Sequence, residues 1–223
     1  SSIFTASRRS WKTYVDRPET EWPRRLAMAS LANGLSAAEQ YEDTLSVQEA
    51  ELAMRRRLGD SENNILTVQT NLASTYHALG RHQDDMRMSQ NVYSGRLKLL
   101  GEEHPQTLTA ANNYASSLNQ LRRFEEAKAL LRKTLPVARR VLGEDAQLTL
   151  GMRRNYAEAL YDDPSATLDD LRQAVTTFEE TELIARRVLG GSHPLTTDIE
   201  QALRYSREAL SAREAPPPGD TSK

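Results

Sequence analysis

Apolar residues recur along most of the chain at the three- and four-residue spacing of helices, in segments punctuated by Gly and Pro. In residues 123–141, Phe124, Ala127, Leu130, Leu131, Leu135 and Ala138 fall on one helical face. Residues 104–120 show the same period, and Arg122-Arg123 marks a turn between the two helices. This pair repeats. Leu-Gly stands at 58–59, 100–101, 142–143 and 189–190, in steps of 42, 42 and 47 residues. Twelve residues after each of the first three glycines comes a second marker, Asn71-Leu72-Ala73, Asn113-Tyr114-Ala115 and Asn155-Tyr156-Ala157. Two markers holding one period define a repeat architecture, here a helical hairpin per repeat.

Local signals agree. Each Leu-Gly glycine follows a last helical turn, where a residue at ease with positive φ ends a helix at low cost. Arg55-Arg56-Arg57 and Arg139-Arg140 complement the negative helix end. His104-Pro105 and His193-Pro194 start the next helix, where the missing proline N–H costs nothing. Pro136 lies inside its helix and predicts a local distortion. Extending the register back makes 39–58 the second helix of a first hairpin, whose first helix runs from Trp22-Pro23 to Asn33 and ends at Gly34. Forward, 193–213 gives a closing helix. The five extra residues of the long step fall around 161–167, as either a neutral loop extension or a specific contact. The pattern predicts an arm or cap over 1–21, one repeat domain over 22–213 with four hairpins and a closing helix, and a disordered, Pro-rich tail over 214–223.

The stretch Leu100-Gly101-Glu102-Glu103-His104-Pro105, Asn112-Asn113-Tyr114-Ala115, Phe124-Glu125-Glu126-Ala127 resembles the 42-residue tetratricopeptide repeat of kinesin light chains. The resemblance covers residues 22–213 and implies an all-α fold, a right-handed α-solenoid of tetratricopeptide-type helical hairpins. It also implies a non-enzymatic scaffold or adaptor whose first helices line a concave groove for a peptide or partner subunit. Departures from the pattern are local. Glu62-Asn63 and Ala146-Gln147 replace His-Pro, and Asp85 stands where the repeat calls for a small residue such as Ala127, so looser or shifted packing is expected there.

Taking Ala73, Ala115 and Ala157 as packing positions, helical spacing aims Thr70, Ser74 and His77, then Asn112, Ser116 and Asn119, then Arg154, Glu158 and Tyr161 into the groove. Asn71, Asn113 and Asn155 lie at its edge, either bonding helix to helix or touching peptide. Asn and Ser side chains suit a peptide backbone, and Arg154 suits an acidic side chain or a C-terminal carboxylate. Outside the repeats, Trp11 and Tyr14 share a face with Val15, as a cap on the first hairpin or an anchor for a partner. The alternative reading is a structural or linker subunit of a larger assembly, contacting it through this arm, the inserted turn and the convex face.

Composition narrows the chemistry. Twenty-nine basic against 31 acidic residues leave a net charge of -2 in 223 residues, so a nucleic-acid partner is not expected. Cysteine is absent, which removes disulfides, Cys-ligated metal and Cys nucleophiles. No run approaches about 18 apolar residues, so no membrane insertion is expected. Phosphate-loop, dinucleotide and nucleophile-elbow motifs are missing. His104 and His193 recur with the repeat, and Asp162, Asp163, Asp169 and Asp170 lack the glycine and closing glutamate of a calcium loop. The expectation is therefore no catalytic residue, no metal and no cofactor, with a protein or peptide partner. The compartment expected is the cytoplasm, with an organelle lumen after removal of a transit sequence as the second choice for a Ser- and Arg-rich start.

Overall fold

A computed structural model of the chain describes residues 2–214. Among the described residues there are ten helices and no strand. They are α1 (Ser2–Tyr14), α2 (Trp22–Ser36), α3 (Tyr41–Arg57), α4 (Glu62–Ala78), α5 (His82–Leu100), α6 (Pro105–Gln120), α7 (Phe124–Leu142), α8 (Gln147–Tyr161), α9 (Leu168–Leu189) and α10 (Pro194–Glu214). Two compact units result, Ser1–Gly101 and Glu102–Lys223. In the first, each helix from α1 to α5 packs on the next. In the second, α6 to α10 do the same, and α8 also packs on both α6 and α10.

The repeating markers acquire physical roles. Gly101, Gly143 and Gly190 end α5, α7 and α9 at φ of 83°, 99° and 90°, a region hostile to a Cβ. His104 and His193 are caps: each Nδ1 accepts from the backbone N–H two residues on, at 3.2 Å, while the following proline occupies the first helical turn. Two expectations change. Gly34 does not end its helix; it lies inside α2, where a Cβ would come within 2.7 Å of Ser7 Oγ, so glycine is there to let α1 dock closely. Glu214, read as the start of a tail, is the last residue of α10; the remainder of that tail lies outside the described residues.

The second helices of the hairpins bury their faces in two different ways. In α7 the inward residues are Ala127, Leu131 and Ala138, and one step later in α9 they are Ala174, Phe178 and Ala185, all fully buried. The same positions in α5 are Asp85, Ser89 and Arg96, also buried. Asp85 accepts from Ser89 Oγ at 3.0 Å and faces His77 Nδ1 at 3.3 Å. Arg96 donates to Asn63 Oδ1 and, at 2.9 Å, to Thr67 Oγ1. The packing around Asp85 is thus a closed polar arrangement rather than a loose one. α3 is similar: Gln48 Oε1 accepts from Thr75 Oγ1 at 2.8 Å, and buried Glu51 accepts from Arg55, which also reaches Asp60 at 2.7 Å.

Candidate functional site

The expected groove residues lie on the first helices of three hairpins: one, α4, in the first unit and two, α6 and α8, in the second. On α4, Asn71, Ser74 and His77 are exposed and Thr70 is half-buried. Thr70 and Ser74 donate to carbonyls one turn back, at 2.8 and 3.3 Å, and His77 faces Asp85. This row is open to solvent and knitted only into its own hairpin.

On α6 and α8 the residues interlock. Asn155 is buried and donates through Nδ2 to Asn112 Oδ1 at 2.9 Å. Asn119, also buried, donates to the Asn155 carbonyl at 2.9 Å and to Glu158 Oε2 at 3.4 Å. These bonds run from helix to helix and fix α6 against α8, so the asparagines set the spacing of the face. Asn113 and Ser116 are half-buried beside them. Arg154 lies 3.4 Å from Glu158 one turn along and donates to Asn155 Oδ1 at 3.1 Å. The guanidinium assigned from sequence to a partner's carboxylate is therefore already engaged by this chain's own.

Burial shapes the charges here. The Glu158 side chain keeps only 20% of its surface exposed. Its carboxyl is pushed above the usual glutamate range by burial, with Arg154 opposing and the charges of Asp162 and Asp198 adding. Asp162, at the C-terminal end of α8, is likewise raised by burial, against the hydrogen bond from Tyr161 and the charges of Arg122 and Arg154. The Tyr161 hydroxyl is raised by burial and then by the two carboxylates, while its ring packs edge-on to Phe178 at 6.0 Å.

Sequence reasoning stopped short of α10. The 47-residue step carries Gly151, Arg154 and Glu158 onto Asp198, Gln201 and Tyr205, and α10 packs beside α8. Gln201 donates to the Tyr205 hydroxyl at 3.1 Å. Gly151 leaves a gap in the middle of the face, the nearest foreign atom to a Cβ there being Asn112 Oδ1 at 3.8 Å.

The arm behaves differently. Trp11 and Tyr14 on α1 are half-buried. Trp11 lines a groove of about 480 Å³ with Phe4, Leu31, Leu35 and Val47, drawn from α1, α2 and α3. The inserted turn is held firmly. Asp163 accepts from Lys128 Nζ at 2.9 Å, and both are buried. It also accepts from the Ser165 backbone N–H at 2.9 Å and hydroxyl at 2.6 Å. The Ser165 and Lys128 hydrogen bonds hold the Asp163 carboxyl down at about 2. Among the described residues no helix is long and apolar enough to cross a membrane.

Comparisons with known proteins agree with the fold. The tetratricopeptide-repeat family profile matches residues 65–106 and 107–145. Two crystal structures of kinesin light chain, nearly identical TPR-like repeats from Podosopora anserina, share the fold. One is 22% identical with a TM-score of 0.68, covering 86% of this chain and 89% of that one; the other, a substituted form of those repeats, is 20% identical at 0.66, covering 83% and 94%. BtubC (BKLC) from P. vanneervenii is 16% identical with a TM-score of 0.58, covering 100% of this chain and 93% of its own. No curated protein matches significantly.

Proposed function

We propose that this chain, a tetratricopeptide-repeat protein of the kinesin-light-chain-like type, is a non-enzymatic module that holds a peptide or partner segment against the α6–α8–α10 face. Tetratricopeptide repeats are in general protein-interaction scaffolds. The observation that carries the reading is the asparagine lattice: the Nδ2 donors of Asn119 and Asn155 are engaged in spacing α6 from α8. What remains for a ligand is a pre-ordered row of partly exposed polar groups around the open position at Gly151. A pre-ordered surface loses little entropy on binding.

The test is steric. Gly151→Tyr places a ring where a Cβ finds room, and replacing a helical glycine does not weaken the helix itself. Short randomised peptides displayed and selected on the full chain are expected to enrich on the parent protein and not on this variant. Equal enrichment on both moves the binding surface elsewhere. A second reading, a subunit of an assembly, draws on the exposed apolar side chains Ile3, Trp22 and Leu26 on α1 and α2. It expects self-association or a tight partner that is lost in Trp22→Ser/Leu26→Ser, read by sedimentation.

A further inference from the structure

Three carboxylates and two guanidiniums crowd the α6–α8–α10 face, and their arrangement carries a ligand preference. Glu158 and Asp162 come from α8 and Asp198 from α10, while Arg154 and Arg122 are the cations near enough to act on them. Arg154 is spent on Glu158 and Asn155. Among the described residues, Asp162 has Tyr161 as its hydrogen-bond donor and the guanidiniums of Arg122 and Arg154 as counter-charge. Independently, the Asn119 amide lies against Glu158, more than nine-tenths buried, and its Oδ1 has no hydrogen-bond donor. A buried acceptor without a donor costs on the order of 1–3 kcal/mol, so the site is incomplete on the donor side. Arg154 Nε is buried and unpartnered as well, and lacks an acceptor such as a peptide carbonyl.

We propose that the α6–α8–α10 face selects a lysine or arginine side chain of its bound peptide, seated between Glu158 and Asp198 and donating toward Asn119 Oδ1. This rests on the groove reading above and reverses the polarity that Arg154 alone implies. The physical logic is compensation. Burial disfavours the charge on Glu158 and Asp162, and Arg154, the Asn119 amide and the Tyr161 hydroxyl only partly offset it. A ligand ammonium or guanidinium supplies the missing donors and charge together. An acidic side chain would meet three like charges on this face.

The experiment selects randomised peptides on the full chain and on Glu158→Gln/Asp198→Asn, and reads the composition of the winners. Parent winners are expected to be enriched in Lys or Arg at one position. That enrichment disappears on the double variant, and the affinity of a parent winner for it drops by about tenfold or more. Glu158→Gln alone is expected to unfold no more easily than the parent at pH 7, because it removes a carboxylate whose ionisation the fold disfavours. Winners enriched in Asp or Glu, or a Lys/Arg preference that survives in the double variant, overturn the proposal. Enrichment without charge preference that is blocked by Gly151→Tyr overturns this inference and leaves the groove reading standing. Absence of any enrichment overturns both.

Discussion

Helix α5 in the first unit and helix α7 in the second occupy the same place in the repeat and solve burial in opposite ways. α7 buries Ala127, Leu131 and Ala138, a face that needs no particular partner, because apolar surface is stabilised by any close-packed neighbour. α5 buries Asp85, Ser89 and Arg96, each of which needs a specific atom: Ser89 donates to Asp85, which also faces His77, and Asn63 and Thr67 accept from Arg96. A polar face of that kind adds little net stability, since desolvation offsets most of the attraction. It does tie the helix to one position and one neighbour. The period along the sequence reports that both helices exist, and says nothing about which of these two regimes holds each one.

The difference is broken most severely by moving the α5 residue into α7. Ala127→Asp places a carboxylate at a fully buried position whose neighbours are Leu131 and, in place of His77, Asn119. It is expected to destabilise the second unit by about 4 kcal/mol, the cost of a buried charge without its partner. Hydrogen exchange at the amides of α6 and α7 reads the effect. Protection falling by less than tenfold, about 1.4 kcal/mol, would mean that the second unit tolerates polar burial as the first does.

How much of this was legible depends on which interactions the repeat controls. The helices and the glycine stops recur in steps of 42, 42 and 47 residues, with His-Pro at two of the starts, and repetition exposes them. Aligning α5 on α7 also exposes Asp85, but the same alignment carries Ser89 onto Leu131 and Arg96 onto Ala138, and only with all three does a polar face emerge. Gly34 misled because its reason lies in α1, which is outside the period. Arg154 was read as free for a ligand although Glu158 sits four residues away, the spacing at which helical ion pairs form. The donor from Asn119 to the Asn155 carbonyl links residues 36 apart, and no local pattern predicts it.

A buried ion pair lies in the second unit, beside the apolar face of α7, where Lys128 meets Asp163 of the inserted turn. Lys128→Met strands Asp163 and is expected to cost about 3 kcal/mol in chemical denaturation. The pH dependence carries the mechanism. Asp163 is held at about 2, below its ordinary 3.8, so its contribution is complete above about pH 4 and is lost as pH falls toward 2. Removing Lys128 is expected to let the carboxyl rise part of the way back, since the Ser165 hydrogen bonds remain. Titration of Asp163 by NMR unchanged by the substitution would show that Lys128 does not hold the turn.

The reverse transplant sharpens the comparison with a smaller effect. Asp85→Ala with Ser89→Leu gives α5 two residues of the α7 face. Removing a buried carboxylate and its bonded hydroxyl together leaves few orphaned groups, so stability is expected to stay within about 1 kcal/mol of the parent. The gain, if any, comes with lost specificity: His77 no longer has Asp85 to face. A loss beyond about 3 kcal/mol would mark the His77–Asp85–Ser89 arrangement as essential to the first unit rather than one of two interchangeable solutions.

The smallest contrast sits at the turn inside each hairpin, where Gly80 and Arg122 are one step apart in the repeat. Both are left-handed, at φ of 69° and 57°. Both close the preceding helix in the same way, with the next residue's N–H donating five residues back, Arg81 to Tyr76 and Arg123 to Leu118, at 2.9 Å. Glycine adopts this conformation without strain, while an arginine there carries a penalty of about 1 kcal/mol. Against that, Arg122 stacks over Phe124 at 5.4 Å, and glycine loses more freedom on folding. Arg122→Gly is therefore expected to stabilise by only about 0.5 kcal/mol, and Gly80→Arg to destabilise by about 1 kcal/mol, read as opposite shifts in thermal midpoint. If Arg122→Gly destabilises instead, the stacking on Phe124 outweighs the backbone strain, and the side chain is what the second unit keeps at that turn.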